Sequence, residues 1–317
     1  MNSIKRADEP GITAEGLRLT FSSPTGGKVG VGTASEGLTF GVQRGEIFGV
    51  IGPDGAGKTT LFRLLCSLML PESGTARVVG YDVVKDYKAL RQVVGYMPGT
   101  FSLYPDLSVE ENLNFFATIF NTTIAEKYDQ IKDIYSQIEP FKHRKAKSLS
   151  GGMKQKLALS SALIHSPEIL FLDEPTTGID PISRVDLWNM LHKLSKQGVT
   201  IVVSTPYMDE ARQCDRLAFM QEGNFLTIDS PQRLTEQYPY PIFEVKGDNR
   251  LELLSRLNSF PRAINSFAFG DVFHITTEAG VEASDIAQHI GIGEVHSITA
   301  GLEDAFLLLS KTKQGSL

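Results

Sequence analysis

A chain of 317 residues, 41% hydrophobic and 21% charged, is long enough for about two domains and apolar enough for a sizeable core. Its net charge of −6 and pI ≈ 5.6 argue against a nucleic-acid binder that works by broad phosphate neutralisation, and no stretch approaches the ~18 uninterrupted apolar residues that cross a bilayer. The two cysteines, Cys66 and Cys214, lie in apolar contexts and read as small core residues, which fits a reducing compartment.

Residues 1–10 are polar and mixed in charge, a disordered tail rather than a signal peptide. Leu17–Phe21 and Leu38–Val42 alternate apolar and polar residues as half-buried strands do, with a loop or loose hairpin from Ser22 to Glu36 between them. Glu46–Ile51 reads as a buried strand and Leu61–Cys66 as a helix. The residues joining them, Gly52-Pro53-Asp54-Gly55-Ala56-Gly57-Lys58-Thr59-Thr60, fit the pattern G-x-x-x-x-G-K-[ST]. A strand, a glycine loop and a helix in this order aim several backbone N–H groups at one point, on the positive end of a helix dipole. The glycines admit a polyphosphate close to the backbone. Lys58 can reach its terminal phosphates, and the Thr59 hydroxyl can ligate Mg2+.

Pro71–Gly74 is a turn, Thr75–Val79 a strand and Asp86–Arg91 a short helix. Ser108-Val109-Glu110-Glu111 is a capping box that opens a mostly helical block from about Leu107 to His165. Inside that block Leu149-Ser150-Gly151-Gly152-Met153 precedes a helical run, Lys154–Ile164, and Ser-Gly-Gly at a helix start leaves N–H groups free for an anion. Ile169–Leu172 is an all-apolar strand, buried on both faces, that delivers Asp173-Glu174-Pro175. Beside a phosphate loop Asp173 is placed to hold Mg2+, and Glu174 to orient and deprotonate a water. Val199–Ser204 is another buried strand, and Leu217–Met220 with Phe225–Ile228 flanks a hairpin turn.

Tyr238-Pro239-Tyr240-Pro241 breaks the pattern, so the first domain spans 11–237, with a helical subdomain at about 100–165. Residues 238–317 follow the order β-α-β-β-α-β and then a terminal helix, which suggests a small ferredoxin-like α+β domain. It carries no catalytic constellation, and His274, His289 and His296 are not at a metal-like spacing.

Together these motifs resemble the ATP-binding subunits of ABC transporters over roughly residues 12–235. Gly52–Thr60 is similar to the Walker A loop, Ser150-Gly151-Gly152 to the signature motif, Ile169–Glu174 to the Walker B strand with its catalytic glutamate, and Thr177–Asp180 to the D-loop. Leu302-Glu303-Asp304-Ala305-Phe306 is similar to the tail of drug- and polymer-exporting members. The resemblance implies a P-loop α/β core with a mixed sheet and an inserted helical subdomain. It also implies a dimer that sandwiches two ATP between the Walker motifs of one subunit and the signature of the other. Phe21 falls where the family has an aromatic ring stacked on adenine, a plain core phenylalanine being the alternative. Phe101–Pro105 exposes aromatic and apolar side chains where the family docks the coupling helix of a transmembrane permease, local packing being the alternative.

Two positions depart from the family pattern. Gly99 stands where a Gln contacts Mg2+ and water, and Pro206 stands where a His contacts the γ-phosphate. Loss of one preorganised polar group from such a site commonly costs about 10²–10³ in rate. The sequence therefore reads as an ATPase subunit of an exporter at the cytoplasmic face of the membrane. It would bind MgATP, hydrolyse it slowly, and lend its signature to a second, more typical ATPase subunit. A working homodimer that tolerates Gly99 and Pro206 is the alternative, and a soluble ABC ATPase of translation or DNA repair, or a small-molecule kinase, are the other classes.

Overall fold

The computed structural model describes residues 9–22, 28–247, 250–291 and 294–313. The tail expected at 1–10 lies outside them, apart from Glu9 and Pro10. The chain forms two compact units, divided between Asp229 and Ser230. That boundary precedes the Tyr238-Pro239 break read from the sequence, because a short helix at Pro231–Glu236 packs on the terminal helix of the second unit.

In the first unit the elements are β1 (Ile12–Ser22), β2 (Lys28–Val31), β3 (Leu38–Val42), β4 (Ile47–Ile51), α1 (Lys58–Leu65), β5 (Ser73–Val78), β6 (Tyr81–Asp82), α2 (Tyr87–Leu90) and β7 (Val94–Met97). They continue with α3 (Val109–Ile119), α4 (Ile124–Tyr135), α5 (Gly151–Leu163), β8 (Ile169–Asp173), α6 (Pro181–Lys196), β9 (Thr200–Thr205), α7 (Met208–Ala211), β10 (Arg216–Gln221) and β11 (Asn224–Asp229).

Among the described residues these strands make two sheets. One has the order β11-β10-β4-β9-β8-β7. From β10 to β7 it is parallel, and β11 closes it as an antiparallel edge. Every residue of β4, β8 and β9 is buried, which explains the absence of polar–apolar alternation in Ile169–Leu172 and Ile201–Val203: strands covered on both faces have no polar side to show. The second sheet is antiparallel and centres on β1, which pairs with β2, β3 and β5. The Ser22–Glu36 stretch is thus partly a hairpin, with Val29 opposite Phe21.

Two cores flank the parallel sheet. Phe48, Phe62 and Phe171 belong to the one that joins α1 to the antiparallel sheet, where Phe62 and Phe171 meet edge to face at 5.5 Å. Leu113, Ile134, Leu157, Leu172 and Trp188 belong to the other, which joins α3–α6. The helical insert starts with two complete capping boxes, Ser108 with Glu111 and Thr123 with Glu126, each satisfying two orphan N–H groups. Helix α6, not among the elements expected from the sequence, is capped by Asp180 through the Ser183 N–H and opened by Pro181. Cys66 and Cys214 are both free and buried, and burial pushes the Cys66 thiol far above its ordinary pKa, with the charge of Asp173 adding to the shift.

The second unit contains α8 (Pro231–Glu236), β12 (Ile242–Val245), α9 (Arg250–Asn258), β13 (Ala263–Phe269), β14 (Val272–Thr277), α10 (Ala283–Ile290), β15 (Val295–Ile298) and α11 (Leu302–Lys313). Its antiparallel sheet runs β13-β14-β12-β15, the split βαβ order that the β-α-β-β-α-β succession suggests. Phe243, Phe273, Ile275, Leu257 and Ile286 form its core. Asp304, 4% exposed, accepts the Gly301 N–H at 2.7 Å and contacts His274 Nδ1 at 2.9 Å, pinning the start of α11 to β14.

Candidate functional site

The phosphate loop leaves the buried end of β4 and turns into α1. Close approach demands glycine at both of its ends. A Cβ on Gly52 would lie 2.1 Å from the Met220 carbonyl oxygen. Gly57 has φ +106°, and a Cβ there would lie 2.3 Å from the Gly30 oxygen. The loop closes on itself through Ala56 N–H to Pro53 O at 3.1 Å, and Ala56 O accepts the Gly223 N–H at 2.8 Å.

Lys58 opens α1 yet is only 4% exposed. Its ammonium donates to the carbonyl oxygens of Gly52 at 2.8 Å and Pro53 at 3.1 Å, and sits 3.2 Å from Glu174 Oε1. A buried ammonium held by two carbonyls and one carboxylate is a cation already oriented toward the loop mouth, so an incoming polyanion meets a positioned charge. The next residue, Thr59, donates its hydroxyl to Asp173 Oδ2 at 2.7 Å. Asp173 ends β8 at 3% exposure, and its other oxygen accepts the Ser204 hydroxyl at 2.5 Å. One hydroxyl and one carboxylate in contact at the loop are hard oxygen donors, the set that suits Mg2+. The negative charge of Asp173 is felt across the sheet: burial first, and Asp173 next, push the Tyr96 phenol up to about 12.

Glu174 has φ +50°, a left-handed conformation uncommon outside glycine. It is held there by its N–H, which donates to both the carbonyl oxygen of Ser204 at 3.1 Å and the Ser204 hydroxyl at 3.0 Å. The twist turns the side chain away from the sheet and toward Lys58. Such strain costs of order 1–3 kcal/mol and clusters at working sites.

Asp54, Gly55, Ala56, Gly57, Lys58, Thr59, Thr60 and Glu174 line one cleft of about 360 Å3 together with Phe21, Val29 and Gly30. Phe21 is 41% exposed, so it is no core residue: its ring stands at the cleft opposite the loop. Gly52 and Pro53 supply carbonyls to Lys58 from behind. Residues that the sequence scatters over Phe21, the 50s and the 170s thus converge.

Ser150, Gly151 and Gly152 do not line this cleft. Ser150 caps α5 by accepting the Met153 N–H at 3.4 Å, and the two glycines form the first turn, starting the helix three residues earlier than the apolar run indicated. They pack on the stretch 178–183: a Cβ on Gly151 would lie 2.8 Å from the Gly178 oxygen, and one on Gly152 2.6 Å from Ser183 Oγ. Gly99 lies beside the strand end, where a Cβ would stand 3.1 Å from the Asp173 oxygen. Two further positions complete the site. Ser204, near the end of the buried strand β9, holds both Asp173 and Glu174, and the Val29–Gly30 edge of β2 walls the cleft. A hydroxyl closing a buried strand was the available signal for Ser204; nothing in the sequence pointed to Val29.

The sequence profile of the ABC transporter family matches residues 35–177. The probable multidrug ABC transporter ATP-binding protein YbhF of Escherichia coli (strain K12) is 39% identical over 272 residues, covering 84% of this chain and 47% of that protein. The chain therefore spans about half the length of that relative. The Nod factor export ATP-binding protein I of Burkholderia lata is 35% identical over 278 residues, covering 86% of this chain and 91% of that protein. Among solved structures, cbiO1 from Clostridium perfringens, part of the ABC transporter complex cbiONQ, is 25% identical with a TM-score of 0.62, covering 73% of this chain and 92% of that one.

Proposed function

This chain belongs to the ABC transporter family of ATP-binding proteins, and from that premise we propose that it is the ATP-binding and ATP-hydrolysing subunit of an exporter. The observation that carries this reading is the pairing of Lys58 with Glu174 and of Thr59 with Asp173, where Lys58, Thr59 and Glu174 line a single cleft and the buried Asp173 backs Thr59. Polyphosphate enters over the backbone of Asp54–Thr60 and takes Lys58 as its counter-ion, while the adenine stacks on Phe21 across the cleft. Thr59 and Asp173 would hold Mg2+, which would neutralise charge on the phosphates. Removal of Lys58 from Glu174 by the triphosphate leaves the carboxylate free to accept a proton from water, a role worth about 10²–10⁴ in rate.

The signature residues lie outside this cleft and so act on nucleotide held by a second ATPase subunit, across an interface that includes Thr177–Asp180. Gly99 and Pro206 place no polar side chain at the two positions expected to contact the γ-phosphate and its water. This supports a slow site in the present chain and a partner that does most of the turnover, with a heterodimer favoured over a homodimer. No described helix is long and apolar enough to cross a membrane, so permease subunits would supply the pathway and this chain would act at the cytoplasmic face. Their docking surface is the Phe101–Pro105 segment, where Phe101 and Tyr104 are exposed and Tyr104 meets Phe115 edge to face at 4.8 Å. The names of the relatives, multidrug and Nod factor export ATP-binding proteins, support the export direction.

Titration of the purified chain with a fluorescent ATP analogue tests the reading. Saturable binding that needs Mg2+ and is lost in Lys58→Ala is expected; wild-type protein that binds no nucleotide would sink it.

A further inference from the structure

Outside the cleft, the first unit holds a buried carboxylate that its surroundings leave poorly paired. Glu210 on α7 is 2% exposed. Neither carboxylate oxygen makes a hydrogen bond of full geometry, and neither does the Thr176 hydroxyl or Arg184 Nε, all of them buried. Arg184 Nε comes within 3.4 Å of Glu210 Oε1, while its Nη1 lies 3.5 Å from the exposed Asp209 and its guanidinium 4.9 Å from the centre of the Tyr207 ring. Burial pushes the Glu210 carboxyl above its ordinary range; the facing hydroxyls of Thr176 and Thr205, then Arg184, pull it back down, and Asp209 adds a small upward push. The Thr205 hydroxyl already accepts the Tyr207 N–H at 3.0 Å, which leaves its proton for the carboxylate.

The position of this cluster gives it meaning. Thr205 ends β9 directly after Ser204, which holds Asp173 and Glu174. Thr176 follows Glu174 by two residues, and Arg184 lies in the first turn of α6, its N–H bonded to the Asp180 oxygen at 3.0 Å. Glu210 therefore stands between the segment that touches the nucleotide cleft and the segment 176–180 that packs on the signature turn. A buried carboxylate without full hydrogen bonds is costly, and a shift of a few tenths of an ångström that completes them is favoured.

We propose that the buried Glu210 and the half-buried Arg184 form a strut that tightens when nucleotide occupies the cleft, and so transmits occupancy from Asp173–Glu174 to the loop at 176–183. Both are positioning residues, since neither lines the cleft. The inference rests on the nucleotide reading above.

The test uses the full chain as wild type, Glu210→Gln, Arg184→Gln and the double variant. MgATP affinity is measured by titration, fold by thermal unfolding, and amide exchange over 176–183 with and without MgATP. In wild type, MgATP slows exchange there by about threefold or more. In each single variant the slowing disappears while affinity stays within about twofold, and the double variant loses no more than either single one, as coupled residues do. Persistence of the nucleotide-induced slowing in Glu210→Gln overturns the strut, as do losses that add in the double variant. A wild-type chain that binds MgATP without any change at 176–183 overturns it too. A wild-type chain that binds no MgATP overturns the nucleotide reading instead, and the affinity titration tells the two failures apart. A merely structural role lowers the unfolding temperature but leaves the nucleotide response in place.

Discussion

The Thr59 hydroxyl donates to Asp173 Oδ2 at 2.7 Å, across 114 residues of sequence. This contact joins the start of α1 to the end of β8 and brings together the two oxygens proposed to hold Mg2+. Asp173→Asn keeps the shape and a hydrogen-bond acceptor but removes the charge. The magnesium-dependent part of nucleotide affinity should then fall by about 10–100-fold. Binding in excess chelator should stay the same. Fluorescent-nucleotide titrations with and without chelator read both values; an equal loss in the two conditions would mean that Asp173 only supports the fold.

Gly99 and Pro206 lead to a gain-of-function expectation. A Cβ at Gly99 would sit 3.1 Å from the Asp173 oxygen, tight enough that the strand end must yield slightly, and open beyond. The double substitution Gly99→Gln with Pro206→His restores both polar groups. Steady-state ATPase of the isolated chain should rise by about 10²–10³. An unchanged rate in a correctly folded double variant would rule out these two positions as a limit on turnover.

Tyr104 and Phe115 expose 46% and 38% of their surfaces and meet edge to face, with Phe115 in turn resting on Phe116 at the edge of the helical core. A charge placed in that pair should expel an apolar partner without disturbing the cleft. Tyr104→Asp is expected to abolish co-purification with the membrane permease, while MgATP affinity stays within about twofold because a surface change distant from the loop rarely propagates. Retained co-purification would move the docking surface elsewhere.

His165 makes a pH prediction. Its ring stacks on Phe120 at 3.8 Å, its Nε2 meets the Val94 oxygen at 3.0 Å, and burial holds its pKa below the ordinary 6.5. The folded chain favours the neutral ring, so the unfolded chain takes up a proton first as pH falls. Stability should decline as pH drops below about 6.5 and level off below the depressed folded pKa. His165→Gln should flatten that slope in thermal unfolding between about pH 7 and 5. Glu46 and Glu210, whose carboxyls burial pushes upward, act in the opposite sense in both proteins, so the difference between variant and wild type isolates the imidazole. Parallel slopes would mean that His165 titrates alike folded and unfolded.

Much of this molecule was legible in its sequence, because the features concerned are local. An all-apolar run such as Ile169–Leu172 can only be a strand covered on both faces, and glycines and Lys58 at fixed spacing can only make one kind of turn. The same holds for the capping boxes and for the β-α-β-β-α-β order of the second unit. Three kinds of fact needed the folded chain. Phe21 could not be told from a core phenylalanine until the β1–β2 register put Val29 opposite it and left its ring at the cleft. Ser204 and Glu210 looked like an ordinary strand end and an ordinary surface helix. Only the parallel pairing of β8 with β9 sets Ser204 beside Asp173, and only α6 covers Glu210 with Arg184. Spacing along a chain determines what a segment becomes; which segments end up beside one another depends on sheet order, and sheet order is set by burial summed over the whole unit.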